Sequence, residues 1–162
     1  MYKIEIKTRQ QFKNSNAESI LEEIKGLSIT GINKTNYSPL YFIDADLTAD
    51  EAKTIASQLL ADQITQEWTI IKEKPVPPDK KQAAEPKMAS QPFSIEVFYK
   101  KGVTDTAAES VIKAVKDLGI TKEMKVKTGH KYYFWGDVSL EVLGTIAKKI
   151  LSNNIIQEYK IN

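Results

Sequence analysis

Apolar and polar residues alternate at the start of the chain, in the segment YKIEIKT at residues 2–8. A period of two predicts a strand with one buried face. Apolar residues then recur at helical spacing from Ala17 to Leu27, which predicts a helix whose apolar stripe packs on that strand.

The next part of the chain continues this alternation of strands and helices. Two short strands are predicted near residues 30–36 and 40–47, followed by a second helix around residues 52–60 and a last strand holding Trp68 and Ile70. Capping boxes predict helix starts at three places, Ser15-x-x-Glu18, Thr48-x-x-Glu51 and Thr106-x-x-Glu109.

The whole pattern occurs twice. Residues 2–71 align with residues 93–162 at a constant offset of 91, without a gap across 70 pairs. Identical pairs include Ile4/Ile95, Glu18/Glu109, Tyr41/Tyr132 and Glu67/Glu158. We therefore predict an α+β protein made of two βαββαβ two-layer sandwiches with ferredoxin-like strand order, forming an intramolecular pseudo-dimer.

The predicted domains are copy one at residues 1–71, a linker at residues 72–92 and copy two at residues 93–162. Five of the six prolines lie in the linker, which has no aromatic residue. That composition is typical of an irregular, partly extended connector.

One face of each predicted sheet lies under the helices, and the other face carries large rings. Strand alternation assigns Phe42, Phe98, Tyr133 and Trp135 to this outer face. Because so much aromatic surface is unfavourable in water, we predict that the two copies pack together over these rings. A binding surface for another molecule is the alternative.

Charge is distributed unevenly along the chain, whose formal net charge is +2. Copy one carries 7 basic and 10 acidic side chains, the linker 5 and 3, and copy two 11 and 8. The copies therefore have net charges of −3 and +3, which favours their contact with each other. Neither has the strongly basic balance of a dedicated nucleic-acid binder.

The composition also bears on compartment. The chain has no cysteine, so it has no disulfide and no thiolate metal site. No apolar run approaches the roughly 20 residues of a membrane helix, and the first ten residues lack the apolar stretch of a secretory signal. We expect a cytoplasmic protein.

Residues for chemistry are scarce. His130 is the only histidine, no elbow motif lies near it, and the seven glycines form no phosphate-binding loop. Asp44 and Asp46 share a strand face but are expected to be solvated. We therefore expect no catalytic residue, no cofactor-binding site and no metal site in this chain.

Two binding functions share the predicted strand order. RNA-recognition modules stack bases on the third strand, but the segment HKYYFWGD lacks the glycines of their motif. Tandem regulatory domains of the ACT type bind small metabolites between copies. Gly102 lies at the corresponding turn of copy two, whereas copy one has Gln11 there.

Three segments of copy two resemble a known family. KKGVTDTAAESVIKAVKDLGI is similar to the strand-to-helix segment of PurS, the small subunit of phosphoribosylformylglycinamidine synthase. VKTGHKYYF resembles the second hairpin of that family, and ILSNNIIQEYKIN its closing segment. Copy one departs from the pattern, since Gln11, Phe12 and Asn14 replace Gly102, Val103 and Asp105.

The resemblance implies a role without catalysis. PurS joins the synthetase, which uses ATP and formylglycinamide ribonucleotide, to the glutaminase that releases ammonia, and it works as a dimer. Long single-chain forms of the enzyme begin with two such units in tandem. The resemblance therefore implies a scaffold in purine biosynthesis, either a separate subunit or the amino-terminal part of a longer enzyme.

The expected docking surface follows from where the resemblance is concentrated. Lys100 and Lys101 end the first strand of copy two, and His130 and Lys131 are predicted at the hairpin turn. Because copy one has Arg9, Gln10, Pro39 and Leu40 at these positions, an asymmetric partner could tell the two copies apart. A solvated basic edge is the alternative.

Overall fold

The computed structural model describes residues 1–72 and 92–162. The predicted linker lies outside the described residues, except for its ends Lys72 and Pro92. The strands are β1 (Tyr2–Thr8), β2 (Ile32–Asp44), β3 (Gln66–Lys72), β4 (Phe93–Tyr99), β5 (Lys125–Gly136) and β6 (Gln157–Ile161). The helices are α1 (Ser15–Gly26), α2 (Ala49–Thr54), α3 (Thr106–Asp117) and α4 (Leu140–Ile146).

The strands follow the order β3-β1-β2-β5-β4-β6, and β1 pairs antiparallel with both β2 and β3, as β4 does with β6. The α+β class is therefore confirmed. In addition, α2 and α4 continue as π-helical segments, Ile55–Leu60 and Ala147–Leu151. The pseudo-dimer stays a prediction.

The two short strands predicted between the helices are wrong, because a single strand replaces each pair. In the first copy β2 runs unbroken through Pro39, and in the second β5 runs through Gly129. Proline and glycine are turn signals in a sequence, but here the backbone stays extended at both positions. His130 and Lys131 consequently lie inside a strand and not at a hairpin turn.

The chain divides into two compact units, each drawn from three segments. Unit one comprises the described parts of Met1–Lys13, Ser38–Lys80 and Thr104–Gly129. Unit two comprises the described parts of Asn14–Tyr37, Lys81–Val103 and His130–Asn162. Unit one thus contains α3 and the beginning of β5 from copy two, and unit two contains α1 and the beginning of β2 from copy one.

The exchange is reciprocal. The offset of 91 maps residues 14–37 onto residues 105–128, which nearly coincide with the segment that copy two contributes to unit one. Each long strand therefore has one half in each unit.

The apolar core of unit one mixes residues of both copies. Tyr2, Ile4 and Ile6 of β1 pack with α2 residues, and Val111 and Val115 of α3 complete the cluster. Ile4, Ile6 and Val115 are almost fully buried. At about 1.5–3 kcal/mol for each large aliphatic side chain, burial against the other copy's helix is a main source of this unit's stability.

Unit two has the matching arrangement. Ile95, Val97 and Phe134 form a buried cluster with residues of α4, and Ile24 of α1 is fully buried in the same cluster. The matching positions Ile24 and Val115 thus play the same part in different units.

Side chains at the helix starts hold each exchanged segment together. The predicted box of Thr48 and Glu51 is confirmed, but the N-caps of α1 and α3 are Asn14 and Asp105, one residue before the predicted Ser15 and Thr106. Both cap residues also bind the strand of their own segment: Asn14 Nδ2 donates to the carbonyl of Tyr37 at 2.9 Å, and the Thr128 N–H donates to Asp105 at 2.8 Å. The amide of Asn14 and the carboxylate of Asp105 can each bond the helix N-terminus and the strand at the same time. Ser15 and Thr106 have shorter hydroxyl side chains and do not take over this double role.

Candidate partner-binding surface

Seven of the eight predicted site residues lie in unit two, on or beside the neighbouring strands β4 and β5. They are Phe98, Lys100, Lys101, His130, Lys131, Tyr133 and Trp135. The eighth, Phe42, lies on β2 in unit one, where Lys3 Nζ is 5.3 Å from its ring centre.

One side of β5 carries an ion pair followed by aromatic rings. Lys131 Nζ lies 3.5 Å from Glu96 Oε1, and these side chains are only 18% and 9% exposed. The same ammonium group is 5.0 Å from the ring centre of Tyr133. Lys131 is thus a largely enclosed cation, held by a carboxylate and a ring.

The aromatic part of this side includes a contact between the copies. The rings of Tyr133 and Trp135 are 6.0 Å apart, and Lys34 Nζ of copy one is 5.0 Å from the ring centre of Trp135. Both rings are half-buried, as is Phe98 on β4. A common interface of all four predicted rings stays a prediction.

His130 points to the other side of β5, because successive strand residues alternate. Its Nδ1 is 2.8 Å from the hydroxyl of Tyr37, and the two rings are stacked with centres 5.8 Å apart. Tyr132 completes the group, with its ring centre 5.4 Å from that of Tyr37. Burial raises the pKa of Tyr132 well above its usual value. His130 therefore does not form one patch with Lys131.

Sequence reasoning missed Tyr37 and Lys34 as members of this surface. Both belong to copy one and reach copy two only because Asn14–Tyr37 is part of unit two. No local pattern in the sequence indicates this exchange, because Tyr37 and His130 are 93 residues apart along the chain. The offset alignment pairs Tyr37 with Thr128 and Lys34 with Lys125, so it does not indicate the exchange either.

Lys100 and Lys101 follow the end of β4 and are exposed. Lys100 Nζ donates to the carbonyl of Asn154, which ties the strand end to the loop before β6. Lys101 lies in the turn that continues through Gly102, whose φ of 91° favours glycine. The strand end thus presents two lysines to solvent.

A metal site needs several ligands that converge on one point. Residues 1–72 and 92–162 contain no group of three or more His, Cys, Asp or Glu side chains that could hold a metal ion. Among the same residues, no helix has the length and apolar character needed to cross a membrane. What this surface offers is charge, hydrogen bonding and stacking.

Comparisons with known proteins identify one family that part of this chain resembles. The family model of PurS, phosphoribosylformylglycinamidine (FGAM) synthase, matches residues 93–162. A comparison with curated proteins finds no match for the chain. PurS is a non-catalytic subunit of FGAM synthase, an ATP-dependent amidotransferase of purine biosynthesis, and it associates with the other subunits of that enzyme. The family that residues 93–162 resemble is therefore PurS, and the match covers 70 of the 162 residues.

Proposed function

We propose that this chain is the scaffold part of FGAM synthase, which bridges the ATP-dependent synthetase and the glutaminase so that ammonia passes from one to the other. The observation that carries the proposal is the PurS match over residues 93–162. The composition of unit two adds support, because the PurS-like residues share their core with α1 of copy one. One tandem chain would then contain both halves of a PurS-like pair.

The proposed mechanism is one of geometry. Ammonia released at one active site has to reach a second site before it is lost to water. A scaffold that holds both partners raises the effective concentration of one at the other without contributing a reacting group. Carrying both copies in one chain removes the concentration dependence of pairing them.

The proposed docking surface is the end of β4 together with the middle of β5. Lys100 and Lys101 are the exposed members, and we assign them the direct contact with an acidic partner surface. Lys131 of β5 is paired with Glu96 of β4, the strand that leads to the two lysines, and His130 of β5 is paired with Tyr37. We therefore assign Lys131 and His130 the role of positioning β5 beside β4.

Reconstitution tests the bridging role. The purified chain is mixed with the synthetase and the glutaminase of the same source, and complex mass and FGAM formation are measured. We expect a ternary complex and a requirement for the chain when glutamine is the nitrogen source. Ammonium chloride should bypass that requirement, because the synthetase then needs no transfer. A chain that binds neither enzyme would contradict the proposal.

A charge reversal tests the docking surface. Lys101→Glu should weaken complex formation, most strongly at low salt, because exposed charges are screened as ionic strength rises. Gln10→Glu is the control, since it places a glutamate at the exposed matching position of copy one. It changes the net charge by −1, whereas Lys101→Glu changes it by −2, so Lys101→Gln is added as a variant of copy two with an equal change. Equal binding by all three variants at low salt would remove Lys101 from the interface. Lys131→Glu is unsuitable, because it also breaks the pair with Glu96.

The four rings are proposed as an interface between the copies. Trp135→Ala should then lower the melting temperature while binding of the synthetase is retained, since the ring already contacts Lys34 of the other copy. Unchanged stability together with lost binding would assign Trp135 to a partner surface instead.

A further inference from the structure

A cleft in unit one combines an aromatic floor with a cation. It has a volume of about 310 Å³ and lies between β3 and the π-helical segment that follows α2. Its lining includes Trp68, Arg9 and Ser57, with Gln63 and Gln66 from the loop and strand beyond the helix. One lining residue is acidic, Glu67, and strand alternation directs its side chain to the side of β3 opposite Trp68. This volume is at the lower end of those that hold small molecules in proteins.

Arg9 is held in place by two backbone carbonyls. Its Nε donates to the carbonyl of Gln66 at 2.9 Å, and its Nη2 donates to the carbonyl of Gln63 at 3.2 Å. Asp62 is an acidic neighbour, whose pKa is lowered by hydrogen bonds from Thr65 and, to a smaller extent, by the charge of Arg9. Within the described part of the chain Arg9 forms no ion pair. A guanidinium group has five N–H donors, so donors remain for an anion after these two bonds are made.

Trp68 supplies the flat surface of the cleft. It lies opposite Ile6 in the β1–β3 ladder, and 36% of its surface is exposed. A large indole that lines a cleft stacks favourably on another flat ring. An adjacent fixed cation then selects rings that carry a negative charge.

The matching positions of copy two carry different side chains. Ser57 corresponds to Lys148, whose side chain is much longer, and Trp68 corresponds to the smaller Tyr159. Arg9 corresponds to Lys100, whose ammonium group donates to the carbonyl of Asn154. The combination of a short wall residue, an indole and a guanidinium is therefore specific to unit one.

We propose that this cleft binds a small molecule with a flat unsaturated ring and a carboxylate group, with the ring on Trp68 and the carboxylate on Arg9. The proposal does not depend on the scaffold function, because all the residues it uses lie in unit one and none belongs to the proposed docking surface.

The test uses the full chain and three probes: benzoate, its neutral analogue benzamide, and cyclohexanecarboxylate, which keeps the charge but has no flat ring. Binding is followed by calorimetry and by the indole N–H signal of Trp68 in NMR, assigned with Trp135→Phe. We expect saturable binding of benzoate that shifts the Trp68 signal. Benzamide and cyclohexanecarboxylate should each bind about tenfold more weakly or worse, the scale of a lost charge-assisted bond or stacking contact.

Two variants separate the contributions. Arg9→Gln should remove the preference for benzoate over benzamide, and Ser57→Lys, which introduces the residue of copy two, should weaken both probes. Lys148→Gln, at the exposed position of copy two that matches Ser57, is the control and should leave benzoate binding unchanged. Circular dichroism checks folding, and if Arg9→Gln unfolds the chain, Ser57→Lys still tests the cleft because it leaves the bonds of Arg9 intact.

The proposal is overturned if benzoate gives no saturable response, if Ser57→Lys folds and binds benzoate as the wild type does, or if folded Arg9→Gln keeps the wild-type preference for benzoate over benzamide. The two proposals can fail separately. A chain that binds benzoate but neither partner enzyme supports the cleft and contradicts the scaffold function, and a chain that binds the enzymes but not benzoate does the opposite.

Discussion

Gly136→Ala should destabilise unit two strongly, because two backbone segments meet there without room for a side chain. A Cβ at Gly136 would lie 1.9 Å from the carbonyl oxygen of Gly31 and 2.9 Å from its carbonyl carbon. Both atoms are backbone, so no side-chain rotation can relieve the overlap. The chain has to move until the contact exceeds 3.0 Å, below which real Cβ atoms are essentially never found.

The magnitude has two parts. Gly136 has a φ of 138°, and a side chain in such a region costs on the order of 1–2 kcal/mol. Forcing the two segments apart adds roughly 1–3 kcal/mol, as for other overpacked sites. A central value of about 3 kcal/mol should lower the melting temperature by roughly 6–12 °C for a chain of this size.

Thermal and denaturant unfolding measure the effect, and Gly102→Ala is the matched control. Gly102 also has a positive φ, 91°, but nothing lies within 4 Å of the Cβ that it would gain. It should therefore show the backbone part alone, roughly 1–2 kcal/mol. If Gly136→Ala melts within about 2 °C of Gly102→Ala, less than 1 kcal/mol separates them and the close approach of Gly31 is not what constrains the site.

Three further predictions concern the packing and its origin. Phe134→Ala should cost about 3–5 kcal/mol in denaturant unfolding, because Phe134 is fully buried in unit two, whereas Leu140→Ala at a position 63% exposed should change stability by less than about 0.5 kcal/mol. Burial raises the pKa of Tyr132, so its contribution to stability is present below the ordinary tyrosine pKa of about 10 and is lost as pH rises above it. Tyr132→Phe should therefore reduce the loss of stability that denaturant unfolding shows from pH 9 upward. An unchanged loss of stability would contradict this role of Tyr132. Residues 92–162 produced alone should be unfolded or dimeric in sedimentation, because Ile24 of copy one is missing from their core; a stable folded monomer would refute the exchange.

The sequence was sufficient for the elements whose signals are local. The alternation in β1, the helical spacing of α1 and the capping box at Thr48 all predict what the structure has. Each depends on neighbours within a few residues, which the unfolded chain already specifies. The caps at Asn14 and Asp105 were displaced by one residue, because two capping residues stand side by side and the sequence does not show which of them also binds a strand.

The strand through Pro39 and Gly129 could not be predicted in the same way. Both residues are typical of turns, and a hairpin within one copy satisfies the same hydrophobic pattern as an extended strand shared between two units. The choice depends on which helix covers each half of the strand, and that is a long-range property. The prediction of one patch containing His130 and Lys131 depended on this hairpin, and it is the extended strand that turns the two side chains to opposite sides.

The exchange of segments also reduces the charge difference between the two halves of the structure. Residues 14–37 carry 2 basic and 3 acidic side chains, and residues 104–129 carry 5 and 4, so the exchanged segments have net charges of −1 and +1. Copy one has a net charge of −3 and copy two of +3. After the two segments are exchanged, the net charges are about −1 for unit one and +1 for unit two. Lys122 shows the effect at one position, since it forms a 2.7 Å ion pair with Glu51 inside unit one. The matching positions are Gly31 and Val142, which can form no such pair. The residues of each copy thus fit neighbours contributed by the other copy, which a repeat whose halves fold separately does not require.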